Sequence, residues 1–113
     1  MLEADLVRVR HMIDACAKAI EFIANKTKSD LEADKLLQFA VTRAIEIIGE
    51  AASRVTAETK CCHPEIQWQA IVGMRNRLIH SYFDINTTIL WHALTHEIPD
   101  LQTKLQKIAP NEN

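Results

Sequence analysis

The chain has 113 residues, 48% of them hydrophobic and 25% charged, with a net charge of −2. These values bound it to one globular domain and exclude both a disordered chain and a surface that traps polyanions at large. Glycine and proline are scarce, at 2 and 3 residues, so few turns are encoded and a few long helices are expected rather than many strands. No apolar run approaches the ~18 residues a membrane span needs. The opening MLEADLVRVR is amphipathic and carries acids, unlike a secretion signal. Cys16, Cys61 and Cys62 are an odd count, read as reduced thiols of a cytoplasmic protein.

Residues 2–24 place Leu2, Leu6, Val9, Ile13, Ala17, Ile20 and Ala24 at steps of three and four, a helical stripe. Asn25-Lys26-Thr27-Lys28 interrupts it, and Ser29-x-x-Glu32 reads as a capping box. A second helix is predicted from Asp30 to Thr59 on a stripe of Leu37, Val41, Ala44, Ile48, Ala51 and Val55. Arg43, Glu46, Glu50 and Arg54 recur on another face with complementary signs. They are either a solvated face with weak ion pairs or a set in which Glu46 or Glu50 holds an arginine from elsewhere. Gly49 weakens this helix, which points to close packing against it.

Cys61-Cys62-His63-Pro64 reads as a loop with incidental thiols, lacking a second ligand pair at metal-site spacing. A third helix is predicted over Glu65–Tyr82, with Pro64 at its start. Ile66, Trp68, Ala70, Ile71, Val72, Met74, Leu78 and Ile79 cover roughly two-thirds of its circumference. Such a helix is covered on more than one side, so a dimer across the third and fourth helices is expected, around Trp68, Ile71, Ile79 and Phe83. Asp84-Ile85-Asn86 ends the third helix and caps a fourth from Thr87. Pro99 predicts a break or kink near Thr95–Ile98 before a last helix bearing Leu101, Leu105 and Ile108. His92 and His96 share a helix face but have no nearby third ligand, so no metal site is assigned. The whole reads as an all-α antiparallel bundle of four to five helices, a single domain over residues 1–109 with a loose tail at 110–113.

The chemistry concentrates in MRNRLIHSYFDI, residues 74–85. Arg75, four residues, His80, one residue and Tyr82 make R-x4-H-x-Y, with Asn76 directly after the arginine. This brings together a fixed cation, a group that titrates near neutrality and the chain's one phenol. Residues 60–83 carry Lys60, Arg75 and Arg77 against Glu65 alone, a locally basic stretch that permits contact with nucleic acid. Arg75 falls in the apolar sector of the predicted helix, so it must meet an acid, a phosphate or a wet cleft. An ideal helix sets His80 about 140° from Arg75, so either the helix unwinds near His80 or His80 meets a partner's Arg75. His80 also fits a helix-end histidine and Tyr82 a core tyrosine.

With AIEIIGEAA at 44–52, Trp68 and IVGMRNRLIHSYFDI at 71–85, nearly the whole chain resembles the HepT toxin family of HEPN domains. The resemblance implies a homodimeric ribonuclease, and with no metal cluster visible in the sequence it is expected to need neither metal nor cofactor. It also implies a partner, a minimal nucleotidyltransferase antitoxin of the MntA type. Arg75 and His80, with Asn76 as the accompanying polar residue, would form an active site shared by two subunits. Tyr82 would be the tyrosine that the partner modifies with AMP to silence the toxin. HEPN domains also include non-catalytic modules that present a substrate or nucleotide to a nucleotidyltransferase. That is the alternative reading.

Overall fold

The computed structural model describes residues 1–81 and 84–110, and for residues 80 and 81 the backbone alone. Among these residues the fold is all-α apart from one short hairpin. α1 (Glu3–Phe22) lies against α3 (Lys35–Arg54) and α8 (Ile98–Ile108), and α3 also packs against α5 (Trp68–Val72) and α6 (Met74–Leu78). The core forms where their apolar stripes meet: Val9, Met12 and Cys16 from α1, Val41, Ile45 and Ile48 from α3, Leu101 and Leu105 from α8.

The first break falls where the sequence placed it. Asn25 adopts φ 63°, a left-handed conformation that asparagine tolerates. The capping box sits two residues earlier than expected. Thr27 Oγ1 accepts from Asp30 N at 3.2 Å, and Asp30 Oδ2 accepts from Thr27 N at 2.8 Å. This box opens α2 (Lys28–Ala33).

The helix expected over Asp30–Thr59 is three helices, α2, α3 and α4 (Ala57–Cys62). Extended residues separate them, and polar side chains serve the freed backbone groups. Asp34 turns extended and accepts from Leu37 N at 3.1 Å, capping α3. Gln38 Nε2 then donates to Leu31 O at 2.9 Å, serving a carbonyl at the end of α2. Thr56 caps α4 after the extended Val55. The buried Asp5 of α1 accepts from Thr56 N at 3.1 Å and from the hydroxyls of Thr56 and Thr59 at 2.6 Å each. Cys61 and Cys62 therefore stand on α4 and not in a loop.

The helix expected over Glu65–Tyr82 is also divided. Gly73 separates α5 from α6, and the chain turns extended at Ile79. Ile79–Ser81 (β1) pairs antiparallel with Asp84–Ile85 (β2), and Asn86 N donates to Leu78 O at 2.8 Å beside the ladder. Flanking β-branched Ile79 and Ile85 suit that pairing. Tyr82 and Phe83, expected at the end of this helix, lie outside the described residues. The premise of the dimer expectation changes with this. Trp68 and Ile71 are buried in the chain's own core, and Trp68 Nε1 donates to His63 O at 3.1 Å. Most of the wide apolar arc is thus covered within one molecule, and the large apolar side chains exposed among the described residues are Val72 on α5, Leu36 and Phe39 on α3, Val7 and Phe22 on α1, and Met1 and Leu2 ahead of it.

Asn86 caps α7 (Thr87–His92) as expected, accepting from Ile89 N at 3.0 Å. The predicted interruption near Pro99 is a π turn at Ala93–Glu97 running directly into α8. Proline has no N–H for the preceding turn and its ring crowds that turn's carbonyl, and the wider register absorbs both effects. The tail expected from residue 110 lies, from 111 onward, outside the described residues.

Candidate functional site

Arg75 owes its position to a close approach of backbone. A Cβ placed on Gly49 would stand 3.4 Å from Ile71 O and 3.5 Å from Val72 O. The missing side chain lets α5 lie directly on α3, as the glycine in the sequence suggested. From there α6 projects Arg75 over the polar edge of α3, where Arg43, Glu46, Glu50, Ser53, Val72 and Arg75 surround a shallow depression. Val72, exposed at the rim, gives that depression an apolar lip.

Of the two acids that could hold an arginine, Glu46 does so. Arg75 Nε donates to Glu46 Oε2 at 2.6 Å, while Glu50 pairs with Arg54 one turn on, at 3.2 Å. The pairing is not a buried one, because the Arg75 side chain is 49% exposed and that of Glu46 31%. An arginine sunk in an apolar sector is therefore corrected to an arginine at the rim of the bundle, held from one side. Its neighbour Asn76 is exposed on α6. Arg77 points elsewhere, to Glu97 of the π turn at 3.2 Å.

His80 lies in β1, so the backbone leaves the helix one residue before it. Of the two expectations for this stretch, the helix does unwind before His80. The helix expected to run as far as Tyr82 ends at Leu78. The His80 side chain and all of Tyr82 lie outside the described residues.

The other titratable groups stand apart from this depression. His92 and His96 stack with ring centroids 4.5 Å apart. Among the described residues, no three His, Cys, Asp or Glu side chains are grouped to hold a metal ion. Cys16 is buried, and burial pushes its thiol up to about 12, whereas Cys61 and Cys62 are exposed. Among the described residues no helix is long and apolar enough to cross a membrane.

The family model described as "Ribonuclease HepT-like" matches residues 12–108. A protein of Thermococcus cleftensis named a probable ribonuclease HepT is 41% identical over 100 residues, covering 85% of this chain and 91% of its own. A relative from Caldanaerobacter subterraneus subsp. tengcongensis, whose name calls it an RNase in provisional terms, is 35% identical over 104 residues, covering 92% and 93% of the two chains. Another so named, from Methanocaldococcus jannaschii, is 30% identical over 95 residues, covering 84% and 87%. No solved structure matches the chain. The match takes in α3, α5, α6 and the hairpin together, the elements that build the Arg75 site, and the chain belongs to the HepT-like ribonuclease family.

Proposed function

We propose that this protein is a metal-independent endoribonuclease, the toxin of a toxin–antitoxin pair, with Arg75 and His80 at an active site shared by a homodimer. The observation that carries the reading is the state of Arg75. It is half exposed and held through Nε, so the two terminal nitrogens of its guanidinium can take a phosphate side by side.

Cleavage in this reading is an internal transfer. The 2′-hydroxyl attacks the adjacent phosphorus, its proton passes to a histidine, and the bond to the 5′-oxygen breaks as that oxygen gains a proton. The products are a 2′,3′-cyclic phosphate and a free 5′-hydroxyl. Arg75 stabilises the charge that builds on the phosphorane, and Asn76 adds a polar contact beside it. A histidine is the side chain suited to act as base or acid near neutral pH, the part assigned to His80. One protomer supplies one motif histidine, and a two-fold arrangement supplies the second.

Control would come from a minimal nucleotidyltransferase antitoxin. The Tyr82 oxygen attacks the α-phosphorus of ATP, pyrophosphate leaves, and the phenol loses its proton. The attached phosphodiester adds a negative charge and a nucleoside two residues from His80 in sequence, and both disfavour the binding of RNA phosphate at the site.

The test is cleavage of RNA by the purified chain in EDTA. Arg75→Ala and His80→Ala should each abolish cutting in a folded protein, and the 5′ fragments should end in cyclic phosphate. Cutting that requires added Mg²⁺, or that survives loss of His80, refutes the mechanism.

A further inference from the structure

We infer that Glu46 is a positioning residue for Arg75, fixing the guanidinium so that its outer edge meets the scissile phosphate. This rests on the ribonuclease reading and adds a residue to its machinery.

A guanidinium offers two edges that can bind an oxyanion with a pair of N–H groups. One joins Nε to a terminal nitrogen, and the other joins the two terminal nitrogens. Glu46 takes the first, at 2.6 Å from Nε, and this is the Arg75 hydrogen bond among the described residues. The second edge stays available for a phosphate. An acid acting as a block would be expected across the terminal nitrogens, where substrate must bind. Glu46 sits instead where it sets the plane of the group.

The surroundings favour the same role. Without Glu46, Arg75 would be a long side chain on a five-residue helix, free to sample many rotamers. Glu46 stands on α3, a 20-residue helix within the core, and is the less exposed partner of the pair. Gly49, less than one turn along α3, brings the backbone of α5 onto the same helix, so the start of α6 and the acid share one rigid support. Glu50 is itself paired with Arg54 at 3.2 Å. The carboxylate does lower the positive charge presented to RNA. A positioning role therefore predicts that Glu46 raises turnover without improving substrate binding.

The experiment compares steady-state RNA cleavage by wild type, Glu46→Ala and Glu46→Gln, with folding checked by circular dichroism. Misplacing a reacting group on the order of 1 Å can lower a rate about 100-fold. Glu46→Ala should therefore lose about 10- to 100-fold in kcat with KM changed less than about threefold. Glutamine keeps an oxygen that accepts from Nε, so Glu46→Gln should recover most of the lost turnover. In wild type the Arg75 Nε–H should give a resolved, slowly exchanging NMR signal. It should persist in Glu46→Gln and vanish in Glu46→Ala. If the alanine variant does not fold, Glu46→Leu keeps the bulk, and the same fall in kcat is required of it. Faster cleavage or a lower KM without the acid would overturn the proposal and make Glu46 a block. Unchanged kinetics would overturn it and leave the ribonuclease reading intact. A wild-type chain that cuts no RNA would instead refute the ribonuclease reading, and this role with it.

Discussion

Replacing Asp5 should be among the most damaging single changes in this fold, although the residue lies far from the motif in sequence. Its side chain is 1% exposed and accepts three hydrogen bonds, from Thr56 N at 3.1 Å and from the Thr56 and Thr59 hydroxyls at 2.6 Å each. A hydrogen bond to a charged group contributes about 1.5–3 kcal/mol, and three to one carboxylate do not add fully. Asp5→Ala should thus cost about 3–4 kcal/mol, a large share of the ~5–15 kcal/mol that stabilises such a domain. At about 4 °C per kcal/mol, the melting temperature should fall by more than about 10 °C. The Thr56 hydroxyl, then the Thr59 hydroxyl, hold the Asp5 carboxyl below its ordinary value of 3.8, against the opposing effect of burial. Its folded value is thus below its unfolded one. The contribution is complete at neutral pH, begins to fade near pH 4 as the unfolded chain takes up protons, and is lost as pH falls through the folded value. Urea unfolding of wild type and Asp5→Asn at pH 7 and pH 3 reads both effects. The gap between them should be wide at pH 7 and narrower in acid. An asparagine variant within about 0.5 kcal/mol of wild type at pH 7, or a gap that does not narrow, would refute the reasoning.

Gly49→Ala should be tolerated in thermal melts, because the added Cβ meets Ile71 O at 3.4 Å while helix propensity improves by up to about 1 kcal/mol. Gly49→Leu should lower stability by about 2 kcal/mol or more by prising α5 from α3. A thiol reagent should label Cys61 and Cys62 quickly in the native protein and Cys16 only on unfolding, with mass spectrometry giving the order. Arg77→Ala removes an exposed pair with Glu97, so it should change stability by less than about 0.5 kcal/mol and leave an active protein, unlike Arg75→Ala. Sedimentation at micromolar concentration should show a dimer, and a monomer that still cuts RNA would exclude a shared site.

The legible parts of this molecule are those fixed by local chemistry. The helical stripes, the Asn86 cap, the close approach at Gly49 and the choice of Glu46 or Glu50 for Arg75 all follow from residue type and spacing. The breaks at Asp34 and Val55 did not show, because no glycine or proline marks either of them, and only the pairing of Asp5 with Thr56 and Thr59, more than 50 residues away, reveals the second. The exit from helix at Ile79 was hidden for a related reason. Leu78 and Ile79 fit an apolar helical face as well as an extended one, and the pairing with Ile85 decides between them. The wheel consequently overstated the burial of Arg75 and placed Tyr82 by a helix that stops earlier.

The joint at Ile79 divides the R-x4-H motif between two mechanical bodies. Arg75 rides on α6, moored to the core by Glu46, while the backbone of His80 belongs to a hairpin held by a short ladder and the Asn86–Leu78 bond. Displacing the hairpin therefore need not drag the arginine with it, nor open the stripes of α1, α3 and α8. A change confined to the hairpin can therefore reset the backbone of His80 while leaving the melting temperature of the bundle where it was.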